Sequence, residues 1–112
     1  VYHSVSFSTN FYSISNTNSS ATEGGTILTW IPTGCTATSL TAYSQQVNTI
    51  TVKLRMGVPG SMSDTEMSCS VSTGSSCTST ASISIPAGAF LDLKIEGPNG
   101  QQAAVWTALA CN

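Results

Sequence analysis

Strict two-residue alternation of apolar and polar side chains is the feature that most constrains this chain. In "NTITVKLRM" (48–56), Ile50, Val52, Leu54 and Met56 alternate with Thr51, Lys53 and Arg55. In "FLDLKIE" (90–96), Leu91, Leu93 and Ile95 alternate with Asp92, Lys94 and Glu96. "VYHSVSF" (1–7) sets Val1, His3, Val5 and Phe7 against Tyr2, Ser4 and Ser6. A period of two places one set on each face of a β-strand. Weaker strand signals fall at Phe11–Ile14, 26–32, 36–43, 65–71, 77–86 and 103–111, with Gly, Pro, Asn and Ser between them. The stretch 57–64 reads as a loop. The helical rival is "QQAAVWTALA" (101–110), since Ala and Leu favour helix; it is read here as the last strand. Eight or nine short strands give an all-β sandwich or barrel, and 112 residues fit one domain, 1–112.

Only 7% of residues are charged, against about 25% in an average protein. Ser and Thr supply roughly a third of the chain, so the polar surface is built from hydroxyls. With 40% apolar residues, a packed core is still expected. A net charge of −2 and three basic residues, Lys53, Arg55 and Lys94, offer no basic patch for nucleic acid or for anionic lipid. No apolar run approaches the ~18 residues of a membrane-spanning helix. The chain opens on Val rather than Met and reads as a mature or excised domain.

Four cysteines, Cys35, Cys69, Cys77 and Cys111, form an even set. With few charges and much Ser/Thr, they point to an oxidising, extracellular setting. "SCSVSTGSSCTS" (68–79) brackets a Thr-Gly turn. If Cys69 faces Cys77 across a hairpin, Ser70 faces Ser76, Val71 faces Ser75, and the loop is Ser72-Thr73-Gly74. Such three-residue loops want a left-handed residue, usually Gly, where Gly74 stands. Zinc sites favour C-x₂₋₄-C with further ligands, and redox pairs favour C-x-x-C; neither pattern occurs. The expected bridges are therefore Cys69–Cys77 and Cys35–Cys111. The first should hold one hairpin, with "STGSS" as a rigid tip, and the second should fix the topology.

Catalytic groups are sparse. His3 is the only histidine and lacks a G-x-S-x-G partner motif; a strand histidine at the surface or an interface is the expectation. The acids are Glu23, Asp64, Glu66, Asp92 and Glu96. Asp92, Lys94 and Glu96 read as ion-pairing residues on a polar strand face. Asp64 and Glu66 border the expected loop and are a thin candidate for Ca²⁺, without an EF-hand pattern; no cofactor is otherwise expected. No phosphate-cradling, dinucleotide or zincin motif is present, and no enzyme is expected. Tyr12 and Tyr43, flanked by Ser, Asn and Gln, are the aromatics expected at the surface and the candidate ligand-binding residues.

"ITVKLRMGVPG" followed by "MSCSVSTGSSCTSTASISIPAGAFLDLKI" resembles the C-terminal C1q/TNF-like jelly-roll domains of bacterial collagen-like surface or phage-tail proteins. The shared features are the alternating strand, the Cys-bracketed turn, "SIPAG" and the strand directly after it; "VWTALAC" resembles their last strand. The likeness covers roughly half the chain. Ala89 stands where members often carry Asp. The resemblance implies an antiparallel jelly-roll sandwich of eight to ten strands, a homotrimer outside the cell, and no catalysis. It implies terminal strands at the three-fold centre, which makes Tyr2, Val105 and Trp106 the candidate subunit contacts. The expected function is a self-assembling attachment module with a surface glycan or receptor as further partner. The alternatives are a carbohydrate-binding lectin and a filament subunit joined by its N-terminal strand.

Overall fold

A computed structural model describes residues 1–6, 10–45, 48–72, 74–98 and 101–112. Expectations that fall on Phe7, Thr73, Asn99 and Gly100 lie outside the described residues. Eleven strands are described: β1 (Tyr2–Ser6), β2 (Phe11–Tyr12), β3 (Ser19–Ser20), β4 (Thr29–Ile31), β5 (Cys35–Ser44), β6 (Ile50–Val58), β7 (Ser61–Val71), β8 (Ser75–Ser79), β9 (Ile83–Ile85), β10 (Ala89–Glu96) and β11 (Gln102–Cys111). No helix occurs among the described residues.

The strands form two antiparallel sheets. Sheet I runs β1-β11-β5-β8, with β9 extending the β8 side of β5. Sheet II runs β3-β2-β10-β6-β7, with β4 beside β2 on the same edge of β10. The alternating sets predicted from sequence meet between them. Ile50, Val52 and Leu54 of β6 and Leu91, Leu93 and Ile95 of β10 are buried, and they share one core with Leu40 of β5 and Val105 of β11. Burying each such side chain contributes about 2 kcal/mol, which is why the register cannot slip by one residue without turning the core outward. The result is an all-β sandwich compatible with a jelly roll.

Several expectations need correction. The supposed loop 57–64 is a tight hairpin: β6 reaches Val58 and β7 begins at Ser61. Here Gly57 lets the backbone of Ser61 and Met62 approach where a Cβ would collide. The strand at 36–43 is ten residues long and central rather than weak. Its inward set includes Ala37 and Ala42, whose small side chains gave little hydrophobic contrast. The strand expected at 77–86 is broken into β8 and β9, which pair with successive stretches of β5.

The bridges are Cys69–Cys77 and Cys35–Cys111, with Cα separations of 5.8 and 5.5 Å. The role inferred for the short one is wrong. Ser70 pairs with Thr51 of β6 in sheet II, whereas Ser76 pairs with Tyr43 of β5 in sheet I. β7 and β8 are therefore not one ladder but the edges of opposite sheets, and Cys69–Cys77 staples the sandwich shut along that side. The turn chemistry itself holds. Gly74 sits at φ 64°, the Ser75 N–H donates to the Ser72 carbonyl at 3.2 Å, and the Gly74 N–H donates to the Ser44 carbonyl at 2.9 Å.

Candidate functional site

Sheet I carries no charged side chain: all eight lie on β6, β7 and β10 of sheet II or, for Glu23, in the segment between β3 and β4. The outward face of sheet I is instead an aromatic row. Tyr2 pairs with Trp106, Trp106 with Tyr43, and Tyr43 with Ser76, across four strands in register. Ring centroids lie 5.2 Å apart for Tyr2–Trp106 and 5.7 Å for Tyr43–Trp106, both tilted. That spacing is in the favourable range for aromatic pairs. Each ring is still about 40% exposed (Tyr2 42%, Trp106 39%, Tyr43 38%). The next row is Ala108, Thr41 and Thr78, with the two Thr hydroxyls 3.1 Å apart. The face is flat, hydroxyl-rich and uncharged.

This row unites residues that the sequence suggested under two separate roles, Tyr2 and Trp106 as subunit contacts and Tyr43 as a ligand residue. Two other candidates are not surface residues. Val105 is fully buried in the core, because its side chain has the opposite parity to Trp106. Tyr12 is 1% exposed; β2 turns its ring inward, where its hydroxyl donates to the Ser6 carbonyl at 3.0 Å. Its phenol is held above its usual pKa, chiefly by burial. His3, expected at the surface, is also buried. Its ring stands edge-on to Tyr12 at 5.5 Å, Nε2 lies 3.2 Å from Thr107 Oγ1, and burial lowers its pKa to about 4. A neutral imidazole enclosed in the core cannot reach a substrate.

The charged residues gather on the outward side of sheet II. Asp92, Arg55 and Asp64 stand in register on β10, β6 and β7. Arg55 donates to Glu23 through Nε (2.7 Å) and Nη2 (2.9 Å) in a fork, to Asp64 Oδ1 at 2.6 Å, and to the Met62 carbonyl at 3.1 Å. Its guanidinium also lies 5.7 Å from the Phe11 ring centroid. Burial, the largest single influence, would raise the Glu23 carboxyl, but the hydrogen bonds from Arg55 and Asp92 and the Arg55 charge together outweigh it and hold Glu23 below its usual range. The Arg55 hydrogen bond likewise lowers Asp64. Asp92 goes the other way. It is fully buried rather than exposed on a polar face, and burial, reinforced by Glu23, pushes its pKa up to about 8. It is therefore a neutral acid at pH 7.

Lys53 and Lys94 do pair with Glu96, at 3.2 and 3.9 Å. Asp64 and Glu66, proposed as loop ligands for Ca²⁺, lie within β7, where Asp64 is held by Arg55. Among the described residues, no group of three His, Cys, Asp or Glu side chains is placed to hold a metal ion. The Arg55 clasp was missed because its cover, Glu23, comes from a segment without periodicity. Trp30, 59% exposed on β4, was read only as part of a strand.

No protein-family model matches the chain, and no curated protein matches it significantly.

Proposed function

We propose that this chain is a non-enzymatic extracellular module that self-assembles through the outward face of sheet I, as a trimer, and presents its loops for attachment. The observation that carries this reading is the in-register row Tyr2–Trp106–Tyr43 on a face without charge. Buried interface centres are depleted in charge and enriched in Tyr and Trp, and isolated exposed aromatics need no such alignment. With five residues in β1 and β8 and ten in β5 and β11, at about 3.3 Å per residue and about 4.8 Å per strand, the face spans about 480 Å², more than half of the ~800 Å² per partner of a stable interface. The strand orders β1-β11-β5-β8 and β2-β10-β6-β7 support the jelly-roll reading, and the resemblance implies a three-fold centre at the terminal strands β1 and β11. The two disulfides fit a non-reducing, extracellular environment.

Light scattering at tens of micromolar tests the assembly. The expected result is three times the 11.5 kDa chain mass, reduced to one chain by Trp106→Lys with the circular dichroism spectrum unchanged. A monomeric parent chain overturns the proposal. A lectin reading draws on the same exposed rings, which stack on sugars as well as on a partner. It requires saturable glycan binding that Trp106→Ala abolishes while leaving the mass unchanged.

A further inference from the structure

The segment 21–28 joins β3 to β4 without forming a strand. Its own hydrogen bonds are local. The Thr22 N–H donates to Ser20 Oγ at 3.1 Å, the Gly24 N–H to the Thr22 carbonyl at 2.9 Å, and the Ile27 N–H to the Gly24 carbonyl at 3.2 Å. Asn18 Nδ2 donates to the Thr26 carbonyl at 3.2 Å. Nothing lies within 4 Å of where a Cβ would stand on Gly24 or Gly25, so that bend is clear of the sheet. Two side chains hold the segment down. Ile27 is fully buried, yet outside the core that the two sheets share. Glu23 takes the fork of Arg55 on β6. The segment is thus a strap on the outer side of sheet II, and among the described residues Glu23 is its polar tie to β6.

Under this tie lies Asp92, wholly buried. Arg55 stands beside it in register, but the guanidinium donates to Glu23, Asp64 and the Met62 carbonyl rather than to Asp92. The group that Asp92 meets is the Glu23 carboxyl, by hydrogen bond and by charge. Two carboxyls in contact keep one proton between them, because two adjacent buried negative charges repel. The surrounding strands do not change this balance. β6 brings Arg55 and also Lys53, which pairs with Glu96; β10 itself brings Lys94 and Glu96, which pair with each other. β7 brings Asp64, a further negative charge. β2 and β4 bring no charge, and the Tyr12 phenol of β2 points into the core. Ionising Asp92 would place a third carboxylate around one guanidinium whose bonds are already made elsewhere. Burial first and Glu23 second accordingly push its pKa up to about 8.

We propose that the strap is a latch held by one proton. With the proton between Asp92 and Glu23, the strap is closed on sheet II. When the proton leaves, Glu23 swings away from Asp92, the segment 21–28 lifts, and water reaches Asp92. Both ladders stay in place, because 21–28 contributes no rung to either sheet. Lifting returns Asp92 toward the ordinary carboxylate range, so opening and deprotonation favour each other. The open fraction therefore rises about tenfold per pH unit between the ordinary and the raised pKa of Asp92. This is a local opening, separate from unfolding of the sandwich.

Amide hydrogen exchange of the full chain, resolved by NMR at pH 5 and pH 6.5, tests the latch. Protection is taken relative to an unstructured peptide at the same pH. The Ile27 amide should lose about 30-fold in protection over this interval. The Leu40 amide, at the centre of sheet I, exchanges through global unfolding, where the opposite slope of His3 offsets that of Asp92. Its protection should change by less than about threefold. Asp92→Asn keeps the shape without the titration and should abolish the change at Ile27. An Ile27 amide that is unprotected at pH 5 or independent of pH in the parent would overturn the proposal. So would a slope that survives Asp92→Asn, or an equal slope at Leu40.

Discussion

Asp92 makes a sharp claim about how stability depends on pH. Its pKa rises from 3.8 to about 8 on folding, through burial first and the neighbouring Glu23 second. Between those values the folded chain binds one more proton than the unfolded chain at this site. Stability therefore falls as pH rises, by about 1.4 kcal/mol per pH unit. His3 works in the opposite sense. Burial lowers its pKa from 6.5 to about 4, so the unfolded chain binds the extra proton there and stability rises with pH over that interval. The two slopes cancel between about pH 4 and 6.5 and leave a loss of about 2 kcal/mol from pH 6.5 to 8. Glu23 and Asp64, whose pKa values are lowered by Arg55, lose their contribution only on the acid side of this window. Asp92→Asn isolates one slope, because the His3 contribution cancels in the difference between variant and parent. Relative to the parent, the variant should gain about 4 kcal/mol between pH 5 and pH 8, or about 15 °C in Tm for a domain of this size. Urea denaturation at pH 5, 6, 7 and 8 at fixed ionic strength, followed by tryptophan fluorescence, measures it. A difference that stays constant across those four pH values would mean that Asp92 is ionised throughout and that its burial has been misjudged.

Two further outcomes test the backbone and the staples. Gly57→Ala should destabilise by more than about 2 kcal/mol, because the new Cβ meets the Ser61 carbonyl oxygen and lies 2.9 Å from the Met62 Cα. Gly74→Ala, at φ +64° with nothing within 4 Å, should cost only about 1 kcal/mol, and urea midpoints that reverse this order would refute the hairpin geometry. Replacing Cys35 and Cys111 by Ser opens a loop with a sequence separation of 76 and should cost about 4–5 kcal/mol; the pair at separation 8 should cost about 2–3. Amide exchange should nonetheless accelerate most around β7 and β8 when Cys69–Cys77 is lost, since that bridge closes the sandwich edge.

The parts of this fold that were legible in the sequence are those written in side-chain contrast. β6 and β10 could be read residue by residue because Ile, Val and Leu alternate there with Thr, Lys, Asp and Glu. The cysteine partners followed from Gly74 and loop length, but a three-residue turn does not encode whether the second strand continues in the same sheet, so the staple was mistaken for a hairpin brace. Asp92 has the parity of an exposed residue and is buried by cover that has no period of its own. Tyr12 sits among Ser and Asn, yet a two-residue strand held between β3 and β10 turns it into the core. The aromatic row was half visible: the resemblance singled out Tyr2 and Trp106 as contacts, along with the buried Val105, while their alignment with Tyr43 required the β1-β11-β5 register, which no local pattern specifies.

The distribution of charge ties the two faces together and carries a last test. A chain with 7% charged residues and a net charge of −2 has little electrostatic protection against association. Those charges are not spread over the surface. On sheet II, Arg55 engages Glu23 and Asp64, and Glu96 takes Lys53 and Lys94, leaving sheet I to hydroxyls, alanines and three exposed rings. If sheet I is where copies meet, the contact contains no ion pair to screen. Assembly should then be unchanged between 50 mM and 1 M NaCl, while sulfate should strengthen it by favouring apolar burial. If copies meet through sheet II instead, the exposed Lys53–Glu96 and Lys94–Glu96 pairs would lie at the contact, and the same salt range should weaken the assembly. Sedimentation across that range separates the two. A mass that falls with NaCl and is indifferent to Trp106→Lys would move the interface to sheet II and leave the aromatic row free for a ligand.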